Sequence, residues 1–440
     1  MTLSRFASRM SAVGFGLVLS ACGGSGGSSD ITGNCSIPAQ NQAVYETMQQ
    51  WYLWYEKLPV LNPAGFASPQ ALLDALVSQV ADPVDRFSYL TTQAEEDALF
   101  GESQFIGFGF RQQTGTDSVT VLDVFEDGPA DLAGLDRGSS ILAIDGVPIA
   151  DILASAEGLG GALGPAEIGY EIEMTFRNQA GAELTSTLVK DTVTIPPVTA
   201  TQVFDLHGVT TGYLVFRNFV DPGIPALNAA FTEFSNAGVT QLIVDLRYNG
   251  GGLLRVMEHF ANLLASRDHP GLPFYSLWHN DKNSGRNETF LFTTNPSPVA
   301  LSLDKLVLIT TSATASASEM LVNGLPPYIE TITVGSETFG KPVGQYGFRF
   351  CEQVLRPVSF EVVNALGEGD YFEGIAPDCA AADNVAVPFG VAGEDSFDMA
   401  VNWLWTGSCA LPARPQPMER LAAEPAEPAA RPRYRPNDAW

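Results

Sequence analysis

A serine hydroxyl and one amine carry the chemistry this sequence can do. The run Thr314-Ala315-Ser316-Ala317-Ser318-Glu319 follows an apolar stretch at 305–310 and opens a helical pattern. Its small residues leave the hydroxyls reachable, and a helix start offers backbone N–H donors to an oxyanion. Downstream, Thr338-Phe339-Gly340-Lys341-Pro342-Val343-Gly344-Gln345 sets an amine among apolar residues. A lysine can accept a serine proton only when neutral. Its reference pKa is about 10.4, so it must be desolvated to work near neutral pH. Lys341 lies 25 residues after Ser316, room for one helix and one strand between two loops. The chemistry implied is acyl transfer with a serine nucleophile and a lysine base. Ser318 and Ser312 are alternative nucleophiles. The four histidines, His207, His259, His269 and His279, are scattered and read as non-catalytic. Gly23-Gly24-Ser25-Gly26-Gly27 fits a nucleophile-elbow pattern, but no strand precedes it and no helix follows, so it carries no catalytic meaning. There is no H-E-x-x-H, C-x-x-C or P-loop, and no metal or cofactor is expected.

Positioning these groups requires loops at the ends of strands. From 198 to about 405 the pattern alternates: strands at 241–246, 305–310 and 331–335, helices at 253–264 and 316–325, and a tight Gly250-Gly251-Gly252 loop. Alternation of this kind predicts a parallel sheet with crossover connections. Asp245 and Arg247 read as an ion pair holding the glycine loop, and Glu319 as a structural acid in a first helical turn. Residues 104–194 read as a separate β-rich module of strand, turn, short helix, strand and Asp-Gly hairpin. Residues 40–100 read as helical, with a first helix ending at Leu58-Pro59 and a second near 69–80. There Trp51, Tyr52 and Trp54 form a packing stripe.

Three blocks together resemble the C-terminal processing peptidases, also called tail-specific proteases: Asp245-Leu-Arg-Tyr-Asn-Gly-Gly-Gly252, Ser316-Ala-Ser-Glu319, and Thr338-Phe-Gly-Lys341 with Gln345. The resemblance implies Ser316 as nucleophile, Lys341 as general base and Gln345 as the group orienting the lysine. It implies an oxyanion hole from the backbone of Ala317 and of the glycine loop at Gly251. The β-rich module resembles a PDZ domain of the bacterial protease type. By that likeness the loop Gly107-Phe108-Gly109-Phe110 receives a peptide's terminal carboxylate while the peptide adds as a strand. The fold expected is α/β (α+β multidomain): a helical N-terminal segment at 40–103, a PDZ-like β-rich domain at 104–195, and a crotonase-like βαβ catalytic core with a parallel sheet at 198–409. The function expected is a serine endopeptidase cleaving exported or envelope proteins, with unstructured C-termini recognised through the PDZ-like domain. The alternative is a catalytically inactive, envelope-anchored peptide-binding protein.

The N-terminus reads as an export signal at 1–21: Arg5 and Arg9, then a short apolar run, then Leu19-Ser20-Ala21-Cys22 and a Gly/Ser-rich linker through 39. This resembles a lipoprotein cleavage box, which implies lipidation of Cys22 and an anchor in the bacterial cell envelope. Gly23 after it points to the outer membrane, facing the periplasm. Four further cysteines in an exported chain suggest two disulfides, with Cys351–Cys379 and Cys35–Cys409 favoured among three pairings. The tail at 410–440 is rich in Pro, Ala and Arg and reads as disordered. A net charge of −27 argues against a nucleic-acid partner. The partners expected are protein or peptide substrates, and the membrane through the lipid anchor.

Overall fold

Strands buried on both faces have no need to alternate polar and apolar residues. In the computed structural model Gln241–Asp245 is buried at all five positions, and Lys305–Thr310 at all but the first. They are the centre of a six-stranded sheet ordered Val198–Leu206, Val209–Phe216, Gln241–Asp245, Lys305–Thr310, Glu330–Gly335 and Cys379–Ala380. The first two strands form an antiparallel hairpin, and every later pair is parallel. Helices Gly223–Ala237, Leu254–Ala265 and Ala317–Gly324 cover one face with Phe231, Phe260 and Leu321. Helix Asp395–Thr406 covers the other with Phe397 and Trp403. Loops at the C-terminal ends of these strands are where a parallel sheet places ligands.

The structure describes residues 34–410; residues 1–33, which hold Cys22 and the export signal expected from the sequence, and residues 411–440 lie outside them. The mixed α/β, multidomain architecture expected from the sequence is the one observed. A second, antiparallel sheet joins Glu288–Leu291, Pro273–His279, Val358–Asn364 and Val343–Gln345. Between residues 104 and 194 the chain makes an antiparallel sheet, Phe110–Thr114, Val119–Val124, Ser140–Ile144, Glu171–Arg177 and Glu183–Val189, around Phe108, Phe110, Val121, Met174 and Phe176.

Two details of the N-terminal region differ from expectation. The first helix, Ile37–Trp51, stops seven residues before Leu58. Tyr52 turns extended there and the Leu53 N–H donates to the Val358 carbonyl, so pairing with the core overrides the helical pattern. Strand Tyr89–Thr92 pairs with Gln353–Arg356, and a further helical stretch, Gln93–Glu96 then Asp97–Glu102, leads into the β-rich module. The aromatic stripe is core: Tyr52 is fully buried, and Trp51 packs on Phe348 with ring centroids 5.0 Å apart.

The four cysteines do form two disulfides, but as Cys35–Cys351 and Cys379–Cys409 rather than Cys351–Cys379 and Cys35–Cys409. The cause is topological. Cys35 precedes the helix that packs on the hairpin Phe348–Phe350/Gln353–Arg356, where Cys351 is the turn residue. Cys379 lies on the edge strand of the large sheet, and helix Asp395–Thr406 covers that sheet and delivers Cys409 to it.

Candidate active site

Three parallel strands end side by side, and each feeds one loop of the site. Lys305–Thr310 leads to Ser316, the residue before helix Ala317–Gly324. Ser316 has φ 57° and ψ −115°, a strained backbone for a residue with a side chain, of the kind that collects at functional sites. Glu330–Gly335 leads to the loop bearing Lys341, and Gln241–Asp245 to the glycine loop. Ser316, Lys341, Gln345 and Gly252 line one small cavity of about 60 Å³, together with Arg356 and apolar groups that include Phe100 and Met320.

Lys341 is 3% exposed. Its Nζ donates to Gln345 Oε1 at 2.6 Å. Gln345 Nε2 in turn donates to the carbonyls of Phe87 at 2.6 Å and Arg356 at 2.8 Å. Two carbonyl acceptors settle the amide orientation, so the oxygen must face the lysine. Burial pushes the Lys341 ammonium well below the usual lysine range; the Arg356 charge adds to this, while Glu319 and Asp85 oppose it. Burial thus favours the neutral amine over the ammonium.

Glu319 does more than its first-turn position suggests. It is fully buried and accepts from the backbone N–H of Ser316 (2.8 Å), Gly340 (2.7 Å) and Lys341 (2.9 Å), and from Thr338 Oγ1 (2.6 Å). One carboxylate thus ties the serine's helix to the lysine's loop. Burial pushes its carboxyl up, and these hydrogen bonds hold the charged form against that.

The alternative serines separate cleanly. Ser318 is fully buried and donates to the Asn249 carbonyl at 3.0 Å, while Ser312 lies exposed in a turn. Gly251 (φ +95°) abuts the serine: a Cβ there would lie 2.8 Å from Ser316 Cβ and 2.9 Å from the Ala317 nitrogen. The expected oxyanion role of Gly251 is not met in this geometry, because its N–H is donated to Asn249 Oδ1 at 2.9 Å. Ala317 begins its helix, where a backbone N–H has no acceptor within the helix.

With this geometry in view, similarity to known proteins is informative. Residues 210–381 match the family model of peptidase family S41, and residues 39–89 match that of the peptidase S41 N-terminal domain. The chain carries peptidase family S41 domains. It is 28% identical over 310 residues to a carboxyl-terminal-processing protease of Synechocystis, covering 69% of this chain and 68% of that one. It is 27% identical over 294 residues to carboxyl-terminal-processing peptidase 3 of Arabidopsis thaliana, chloroplastic. That match takes in 61% of this chain and 51% of the relative, so the chain spans about half the length of that protein. Among solved structures, a candidate S41 protease from Bacteroides fragilis superposes with a TM-score of 0.65 at 24% identity, over 83% of this chain and 97% of that one. The photosystem II D1 C-terminal processing protease does so with a TM-score of 0.51 at 22% identity, over 79% of this chain and 94% of that one. At these identities the likeness establishes the fold.

The remaining sequence candidates of this S41 chain lie elsewhere. Gly107, Phe108 and Phe110 line a second cavity of about 1010 Å³, between strand Phe110–Thr114 and helix Gly158–Leu163, with Leu159, Leu163 and Lys190. Gly109 (φ +87°) turns that loop against Gly128. Asp245 and Arg247 are the structural pair expected: Arg247 Nη2 lies 2.6 Å from Asp245 Oδ2, and Arg247 also reaches Glu394 at 2.8 Å and Asp383 at 3.1 Å. None of the histidines lines the Ser316 cavity.

Sequence reasoning missed Arg356, Glu96 and Phe100. Arg356 lines the S41 cavity and is gripped by Glu96 at 2.6 and 3.0 Å. Phe100, one helical turn after Glu96, lines the same cavity. The one signal available was a 93–102 stretch of helix formers ahead of the β-rich module. Nothing local says that it faces a site more than two hundred residues away.

Proposed function

We propose that this chain is a serine endopeptidase working through Ser316 and Lys341. The observation that carries this is one cavity holding a strained, part-exposed serine and a buried lysine whose amine is fixed by Gln345. Neutral Lys341 takes the Ser316 proton, and the oxygen attacks a peptide carbonyl. The protonated lysine returns the proton to the leaving amine, and water then releases the acyl group with Lys341 again as base. Ala317 N–H at its helix start stabilises the oxyanion; a second donor requires the glycine loop to release Gly251 N–H from Asn249, or Gly252 to serve.

The substrate class is unstructured protein C-termini. The support is the roomy apolar cavity beside the PDZ-like loop, which suits an added peptide strand with an apolar end. Lipid anchoring at Cys22 and action on envelope proteins complete the reading, on the cleavage-box pattern alone. Unstructured peptides with apolar C-termini, incubated with the parent, Ser316→Ala and Lys341→Ala and followed by mass spectrometry, test it. Cleavage by the parent alone is expected. Equal cleavage by Ser316→Ala overturns the assignment. Peptide bound by all three and cleaved by none would make it a binding protein.

A further inference from the structure

The lysine's loop is held by its backbone from two sides. Glu319 collects N–H groups from one side, as described. From the other, Arg86 Nη2 donates to the carbonyls of Phe339 (2.9 Å), Gly340 (3.1 Å) and Phe372 (3.0 Å). The guanidinium lies over the Phe339 ring, 4.2 Å from its centroid. Gly340 (φ +89°) leaves no slack: a Cβ there would lie 2.4 Å from the Phe372 oxygen. The neighbours of Arg86 extend the grip. The Phe87 carbonyl accepts Gln345 Nε2, Ser88 Oγ accepts the Val358 N–H at 3.0 Å, and Asp85 Oδ1 fixes the turn through the Phe87 and Ser88 N–H groups at 2.8 and 2.9 Å.

Buried carbonyls need donors, and without Arg86 those donors would be water. Water admitted there would rehydrate the lysine beside it. One nitrogen, Nη2, shares its two N–H groups among the three carbonyls while the guanidinium plane lies on the Phe339 ring; an ammonium could replace the donors but not the planar stacking that holds them in place. We propose that Arg86, from the N-terminal segment, is a positioning residue for Lys341: its contact with the carbonyls of Phe339, Gly340 and Phe372 keeps the lysine loop dry and aligned with Gln345. This rests on reading Ser316 and Lys341 as the reacting pair.

Two readouts test it on the full chain, comparing the parent with Arg86→Met and Arg86→Lys. The first is peptide cleavage across pH. The second is acetylation of Lys341 by acetic anhydride across pH, read by mass spectrometry, which needs no turnover. The charged and polar groups facing Lys341, namely Arg356, Glu319, Asp85 and Gln345, are unchanged in the variants. Arg86→Met is expected to lower kcat about 100-fold, as a small misplacement of a reacting group does. KM should stay within about twofold, and the acetylation midpoint should move to higher pH; Arg86→Lys should recover part of both. Unchanged kcat and midpoint in folded Arg86→Met would overturn the proposal. If Arg86→Met does not fold, Arg86→Lys decides: parental values of both readouts refute the role, and a shifted midpoint supports it. A parent that cleaves nothing sinks the peptidase reading, while the acetylation midpoints still judge Arg86.

Discussion

A buried lysine is a liability to the fold that holds it. Burial lowers the Lys341 pKa below its value in the unfolded chain, about 10.4. Between those two values the unfolded chain binds more protons, so stability falls as pH drops from about 10.4 toward the folded pKa, and the penalty is constant below it. Lys341→Met is therefore expected to unfold at higher urea than the parent, with the gap widest at low pH and closing toward pH 10. A gap independent of pH would show that the lysine is not depressed. The same depression predicts a rate that rises with pH through one limb below the ordinary lysine range. Glu319→Gln is expected to cost about 2–3 kcal/mol in urea melts, since one amide oxygen cannot serve donors that two carboxylate oxygens now satisfy. A serine-bearing helix start and a lysine among apolar residues were readable from residue type; the choice of Ser316 and the part of Gln345 came from the resemblance to the C-terminal processing peptidases. The reach of Glu319 was not, because its partners lie on a loop some twenty residues away that only the sheet brings near.

At the scale of elements, the parallel strands were the most readable part. Continuous apolar runs such as 241–246 and 305–310 admit few other interpretations in an alternating chain. The ends of elements were less so: helix Ile37–Trp51 yields at Tyr52 to a hydrogen bond with Val358, a partner no local pattern announces. The stretch 93–102 faces two ways. Glu96 and Phe100 serve the Ser316 cavity, while Ala94, Glu95, Ala98 and Leu99 line the large cavity of the β-rich module. The disulfides can be ranked by the loops they close. Cys35 and Cys351 are 316 residues apart, Cys379 and Cys409 only 30. In the chain-entropy description this makes the first worth about 2 kcal/mol more than the second. Paired Cys→Ser replacement is expected to lower the calorimetric Tm further for Cys35/Cys351 than for Cys379/Cys409, and the reverse order would refute that ranking.

Across the whole molecule, buried arginines join the β-rich module to the core. Arg217 lies 2.5 Å from Asp123, with both side chains nearly inaccessible, and Arg111 Nη1 donates to the Tyr248 carbonyl at 2.9 Å. Arg137 meets Asp383 at 2.6 Å, the same carboxylate that Arg247 reaches beneath the glycine loop. Removing one partner of such a pair strands a buried charge. Asp123→Ala is expected to cost about 3–5 kcal/mol in urea denaturation. Adding Arg217→Met should restore most of that loss; no restoration would mean Asp123 matters for another reason. None of these contacts could be inferred from sequence, since nothing local marks which charged residue or backbone carbonyl each arginine meets across the two parts of the chain.

The order of the cysteines has a consequence for biogenesis. The four in the described residues pair first with second and third with fourth. If Cys22 is lipidated as proposed, a chain delivered from its N-terminus presents Cys35 as its one free thiol until Cys351 emerges, and that first encounter is already the native one. Cys379 and Cys409 then meet in turn. An oxidant that simply joins thiols as they arrive reaches the finished pattern with no reshuffling, whereas a nested pattern would need a bond to be broken and remade.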